Sequence, residues 1–509
     1  MKKILFGFIL IGLFTLASCS ADYMYEPYEN QLGEEYYTPI DGETYAEIIE
    51  NEFINTADMP VSTFSTDVDT ASYANVRRMI NQGYLPQANA VRIEEMINYF
   101  DYDFADPVDG QAVSITTEIS KAPWNNDHQL LMIGLKTKDI VYEETLGNNY
   151  VFLLDVSGSM GTANKLPLVK SSIMLLVDQL RPSDCISIVV YAGAAGLVLD
   201  GGDSTNKAEI IDALANLNAG GSTAGGQGIE LAYQVAEDHF IEGGNNRIIL
   251  ASDGDFNVGI SDVEELKALI SSKRDTGVFL SVLGMGTGNL RDDVMETLAD
   301  NGNGVYYYID SILEAEKVFV NELGASMVTV AKDVKLQVEF NPLNVKGYRL
   351  LGYENRVLSY EDFEDDQKDA GDLGAGHVMI AFYEIIPANS SETIENQIFD
   401  IPEDLKYDGT NYENEYVHIS LRYKDPDDDT SKLIEKIGLV TDYTETPSES
   451  FRFASSVVEY GLLFRNSEYK GNANYDQVLS IAQGALGDDE FGYRAEFITL
   501  VRKAQSLTD

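Results

Sequence analysis

Between residues 149 and 325, short apolar runs alternate with helical patterns, and this alternation leaves very few architectures open. The runs cover 150–155, 185–191, 247–251, 278–283 and 305–309. Helical periodicity falls near 165–180, 207–217, 227–240, 263–274, 292–300 and 312–323. The runs are apolar throughout instead of at every second residue. Strands covered by helices on both faces have that pattern, so a doubly wound, mostly parallel α/β sheet is predicted.

Two of these strands end in acids. Val151-Phe152-Leu153-Leu154-Asp155 runs into Val156-Ser157-Gly158-Ser159-Met160, which places Asp-x-Ser-x-Ser at a strand's carboxyl end. Ligands collect at that edge of an open α/β sheet. Alternate spacing lets Asp155, Ser157 and Ser159 converge, and Gly158 permits the tight turn. Ile248-Ile249-Leu250-Ala251-Ser252-Asp253 brings Asp253 to the same edge. The Gly-rich loop Gly220-Gly221-Ser222-Thr223-Ala224-Gly225-Gly226 precedes a helix and offers Thr223. Three hydroxyls and two carboxylates form an oxygen-only donor set. Such a set suits a hard divalent cation, Mg²⁺ or Mn²⁺.

Asp155-x-Ser157-x-Ser159, Thr223 and Asp253 resemble the metal-ion-dependent adhesion site of von Willebrand factor type A domains. The resemblance spans residues 147–325. It implies that the two Ser and the Thr bind the metal directly, while the two Asp act mostly through water. It also implies an open position for a carboxylate donated by a protein partner. Further segments are similar to a group of bacterial envelope proteins that carry this domain. These are 65–73 and 91–100 for the group's amino-terminal flank, and 347–356 and 492–497 for its carboxyl-terminal region of uncharacterised function.

The chain's 509 residues predict several domains. Its 35 Lys plus Arg against 84 Asp plus Glu give a formal charge of −49. That surface repels phosphate backbones, which argues against nucleic-acid binding. Two Cys and four His leave no basis for a disulfide framework or a Cys- or His-based zinc site.

Residues 1–18 combine a basic start, an apolar stretch and small residues, as in a secretory signal peptide. Leu16-Ala17-Ser18-Cys19 resembles the bacterial lipobox, which implies a lipid anchor on Cys19 and an envelope location, expected at the outer membrane. Cys185 is then the remaining thiol, and its strand-like surroundings predict a buried, inert residue. Residues 19–60 hold no Lys or Arg against eleven acids and six Tyr, and read as an acidic solvated tether, part of which docks through its Tyr.

The remaining divisions are a helical flanking region at 61–110, a β segment at 111–140, a β-rich domain at 328–440 and a helical region at 450–509. The β stretches lie on both sides of the α/β block. They predict one β-sandwich into which, or beside which, the α/β domain is placed.

Other motifs carry less. Asp67-Val68-Asp69-Thr70 copies a phosphatase nucleophile motif, but the polar run before it and the helix after it favour helix capping by Asp69 or Thr70. Gly284-Met285-Gly286-Thr287-Gly288 lacks dinucleotide spacing and reads as a structural turn. Ser157 is not in a Gly-x-Ser-x-Gly elbow, and His128, His239, His377 and His418 show no triad spacing. The acidic run 361–366 lacks the EF-hand order and reads as a solvated loop. The reading is therefore a non-enzymatic, lipid-anchored envelope protein that binds a protein ligand through the metal. The alternatives are a metal-assisted hydrolase and a scaffold whose metal is structural.

Overall fold

The computed structural model describes residues 42–141, 145–220, 225–254, 263–322, 328–395, 397–399, 401–408, 411–426 and 428–508. Thr223 and Cys19 lie outside the described residues, as does the signal peptide. Among the described residues no helix is long and apolar enough to cross a membrane.

The α/β part has six strands in the order Tyr306–Ile309, Val278–Met285, Asn245–Ser252, Asn148–Asp155, Cys185–Ala192, Ala194–Asp203. The first five are parallel and the last is antiparallel. Every residue of the central strand Asn148–Asp155 is buried. Its odd and even positions feed different cores. Phe152 and Leu154 pack with Val169, Ile173 and Leu176 of helix Leu166–Gln179, whereas Val151 and Leu153 pack with Ile229, Ala232 and Tyr233 of helix Gly225–Asp238. Two covered faces explain the unbroken apolar runs. The sequence does not announce the edge strand Ala194–Asp203. It is largely exposed and broken by register shifts, so neither periodicity survives in it.

The β stretches before and after this block share a sheet. Asn125–Thr137 pairs with Val378–Pro387 in antiparallel register, Ile133 opposite Ala381. That sheet runs Ile54–Asn55, Val345–Leu351, Val378–Pro387, Asn125–Thr137, Val113–Ala122. A second antiparallel sheet runs Val357–Leu358, Val61–Ser65, Thr329–Phe340, Glu415–Lys424, Lys432–Leu439. Leu131, Ile133, Leu135 and Tyr383 of the first meet Leu336, Val338, Phe340 and Ile419 of the second in one core. The α/β part is thus inserted into a β-sandwich.

The first sheet's outer face is also apolar. Leu130, Met132, Ile380 and Phe382 pack against helices Ala71–Asn81, Ile93–Asn98, Glu449–Phe464 and Tyr493–Thr508. Helices from the two ends of the chain therefore form a single layer. At its centre Gly461 meets Ile93, whose Cγ1 would lie 2.8 Å from any added Cβ.

Two readings are corrected. Residues 42–60 are not a solvated tether. The Glu43 carboxylate is buried against Arg78 at 2.9 Å, the Thr44 amide donates to the Leu290 carbonyl at 2.9 Å, and Ile54–Asn55 joins the sandwich. A buried guanidinium needs a counter-charge, and this acid-rich stretch supplies it. Nor is 61–110 wholly helical, since Val61–Ser65 is a strand of the second sheet.

Candidate metal centre at the carboxyl edge of the parallel sheet

The central strand ends at Asp155, which is fully buried. The chain then folds back on it, and the Ser157 amide donates to Asp155 Oδ1 at 2.7 Å. A 3₁₀ turn, Gly158–Gly161, follows. It leaves Ser157 Oγ and Ser159 Oγ 2.9 Å apart, with Ser157 buried and Ser159 exposed. Two hydroxyls thus sit side by side in the turn that folds back on a buried carboxylate, and one of them belongs to an exposed residue.

Asp253 arrives from the neighbouring parallel strand. Leu154 stands opposite Ala251, so Asp253 passes the sheet edge next to the chain leaving Asp155. It is fully buried. Gly254 turns the chain at φ +102, where a Cβ would come 2.4 Å from the Arg291 amide. The sharp exit therefore needs glycine.

Sequence reasoning missed one residue here. Lys165 Nζ donates to Asp253 Oδ2 at 2.7 Å and to Asn289 Oδ1 at 3.0 Å. Lys165 is 6% exposed and stands directly before helix Leu166–Gln179. A cation at a helix amino terminus opposes the helix dipole, and that misplacement was the available signal. The side chain passes over Gly286, where a Cβ would lie 2.2 Å from Lys165 Cε. Gly286 and Gly288 take φ +78 and +91, so the chain turns at 286–288, directly after strand Val278–Met285, and gives Lys165 its path; 284–285 belong to the strand.

The oxygens of Asp155, Ser157 and Ser159 fit a hard divalent cation, and Asp253 adds a second carboxylate at the same edge. Because Lys165 shares Asp253, the local negative charge is smaller than two free carboxylates would give.

Three of the four histidines are engaged elsewhere, His128 with Glu384 and Glu392, His239 with Asp200 and His418 with Glu435, and His377 lines a cavity away from this edge. Cys185 is half-buried in its strand, and burial pushes its thiol up to about 11, out of nucleophilic range. The capping role expected of Asp69 or Thr70 is not found. Thr70 stands at the amino end of helix Ala71–Asn81 but makes no side-chain cap, and Asp69 Oδ1 instead accepts from the Tyr306 amide at 2.8 Å. Asp69 is spent on joining this helix to the α/β sheet.

Family models match three stretches of the chain. Residues 39–132 match one described as von Willebrand factor, 149–320 the von Willebrand factor type A domain, and 325–507 the model "uncharacterized protein YfbK, C-terminal". Fold and matches together define a protein built on a von Willebrand factor type A domain. The Escherichia coli K12 protein YfbK is 43% identical over 474 residues, which cover 91% of this chain and 81% of that one. The chain belongs to the YfbK family. A Synechocystis protein, sll0103, is 29% identical over 202 residues, covering 39% of this chain and 46% of its own. Among solved structures, BatB from Bacteroides thetaiotaomicron aligns with 35% of this chain and 97% of its own at 25% identity, TM-score 0.30. A von Willebrand factor type A protein from Catenulispora acidiphila aligns with 76% of this chain and 90% of its own at 16% identity, TM-score 0.42.

Proposed function

We propose that this is a non-enzymatic, lipid-anchored protein of the bacterial envelope that captures a protein partner through a divalent cation, Mg²⁺ or Mn²⁺, at the carboxyl edge of its type A domain. A type A domain suits interaction or adhesion, and the proposal adds the metal, the anchor on Cys19 and the partner's chemistry.

The observation that supports it most is the pair of hydroxyls at 2.9 Å, Ser157 and Ser159, placed over the buried Asp155 with Asp253 alongside. Ser157, Ser159 and Thr223 would hold the ion by neutral oxygens. Asp155 orients the loop through the Ser157 amide. Asp253 supplies charge that Lys165 partly offsets. A bound divalent ion held this way supplies an electron-poor centre that takes oxygen ligands. The exposed Ser159 marks the side from which a partner's Asp or Glu would approach.

The test is a crosslinked pull-down from native envelopes using wild-type and Ser157→Ala baits, with Mg²⁺ or with EDTA. The expected result is a partner captured by wild type with Mg²⁺ and lost in the other arms. Capture that is undiminished in the variant and in EDTA overturns the proposal. Turnover of phosphate or ester substrates by the Mg²⁺-loaded chain would favour a metal-assisted hydrolase.

A further inference from the structure

A polar cavity of about 260 Å³ lies at the opposite, amino edge of the parallel sheet, where the α/β part meets the sandwich. That volume holds far more than one water. Both members of the Asp67–Asp69 motif line it, together with Arg247, Arg356, Asp300 and Asp372. Its charges are not matched locally, and this is the informative feature.

Arg247 is the third residue of strand Asn245–Ser252 and is 3% exposed. One guanidinium nitrogen donates to Ser281 Oγ at 2.9 Å, and the group lies 5.5 Å from the Phe279 ring centroid. Its Nε has no acceptor, and no carboxylate pairs with it among the described residues. A guanidinium carries five N–H donors and is costly to bury without a counter-ion. Asp372, which lines the same cavity, attracts Arg247 electrostatically, but no ion pair to it forms among the described residues.

The surplus across the cavity has the other sign. Arg356 serves Asp67 at 3.1 Å, Asp300 at 2.7 Å and Asp69 at 3.7 Å. Among the described residues Asp69 Oδ2 accepts no hydrogen bond. Burial and neighbouring acids push Asp69 up against the pull of Arg356, and burial pushes Asp372 up to about 7. Asp67, Asp69 and Glu95 also lie close enough together to suggest a metal ion. Glu95, however, is already bound by Arg92 and by the Ser72 amide at 2.7 Å, and a bare cation would leave Arg247 unanswered.

We propose that this cavity binds a small zwitterion of the amino-acid type, its carboxylate on Arg247 and its ammonium on the Asp67–Asp69 side. A carboxylate would complete the guanidinium's donors in a charge-assisted pair. An ammonium would relieve the crowd of acids around Arg356. The site is separate from the metal edge.

Titration calorimetry on the full chain tests this with the standard L-amino acids, their D-forms, acetate and methylammonium as probes. The expected result is saturable binding of at least one amino acid, with acetate and methylammonium each at least about tenfold weaker, because each answers only one charge. Arg247→Met should lose at least about tenfold in amino-acid affinity while melting no earlier than wild type, because it removes an unpaired buried charge. Asp69→Asn should weaken amino acids but leave acetate unchanged, and Ser157→Ala should bind amino acids like wild type. The proposal is overturned if no amino acid binds at millimolar concentration, if acetate binds as tightly as the best amino acid, or if Arg247→Met binds like wild type.

Discussion

Lys165 Nζ sits 2.7 Å from Asp253 Oδ2, with both side chains buried at the edge of the parallel sheet. Sequence patterns mark Asp253 as a candidate ligand, but its partner comes from a different strand–helix connection. The pair sets how much negative charge the candidate centre offers a cation.

Lys165→Gln removes the cation and leaves the Asp253 carboxylate buried beside Asn289. Without divalent metal, the variant should lose about 3 kcal/mol of stability, the cost typical of breaking one side of a buried pair. It should also take up Mg²⁺ several-fold more tightly, since one positive charge has gone. Urea unfolding with and without Mg²⁺, together with calorimetry, checks both. Unchanged Mg²⁺ affinity would show that Lys165 does not tune the site.

Ser159→Ala separates binding from stability. Ser159 is exposed, so its loss should change unfolding free energy by no more than about 0.5 kcal/mol. Mg²⁺ uptake should fall at least about tenfold, as expected when one of few hydroxyl donors disappears. Equal uptake by variant and wild type would remove Ser159 from the donor set.

Arg77 ties three parts of the molecule together. From helix Ala71–Asn81 it reaches Asp310 at 2.5 Å, Glu314 at 2.7 Å and Glu496 at 3.2 Å, and it donates to the Tyr99 hydroxyl at 2.8 Å. Glu314 is 1% exposed. Arg77→Ala would leave that carboxylate with the Tyr99 hydroxyl but without its guanidinium, and a loss of about 3 kcal/mol is expected. A urea midpoint within error of wild type would refute this.

His128 confers a pH dependence. Burial alone would lower its pKa, but hydrogen bonds to Glu384 at 2.6 Å and Glu392 at 2.8 Å outweigh burial and raise it. Its stabilising contribution is therefore complete below the unfolded value of about 6.5 and is lost as pH rises through the raised folded value. Glu384 works the other way. Burial pushes it up, yet His128 and Arg349 win and lower it, so its contribution is lost as pH falls below about 4.5. His128→Gln should cost more stability near pH 6 than near pH 9. Unfolding free energies of variant and wild type at the two pH values give the answer, and equal costs would exclude the linkage.

Much of the architecture could be read directly from residues. Unbroken apolar runs require two covered faces, which is how the parallel sheet and its carboxyl edge became visible. Asp155, Ser157 and Ser159 lie within five residues of one another, so one strand end and one turn bring them together. The sandwich could also be anticipated, because β stretches flank the α/β block on both sides.

Contacts between distant segments were decided in the folded chain alone. The Lys165–Asp253 pair spans 88 positions, Glu43 and Arg78 meet across 35, and Arg247 reaches Ser281 across 34 with no ion pair among the described residues. Local periodicity records which face of a strand or helix avoids water. It carries no record of which distant charge will share a buried site, because burial and electrostatic pairing act on residues that only the packing of the whole chain brings within a few ångströms.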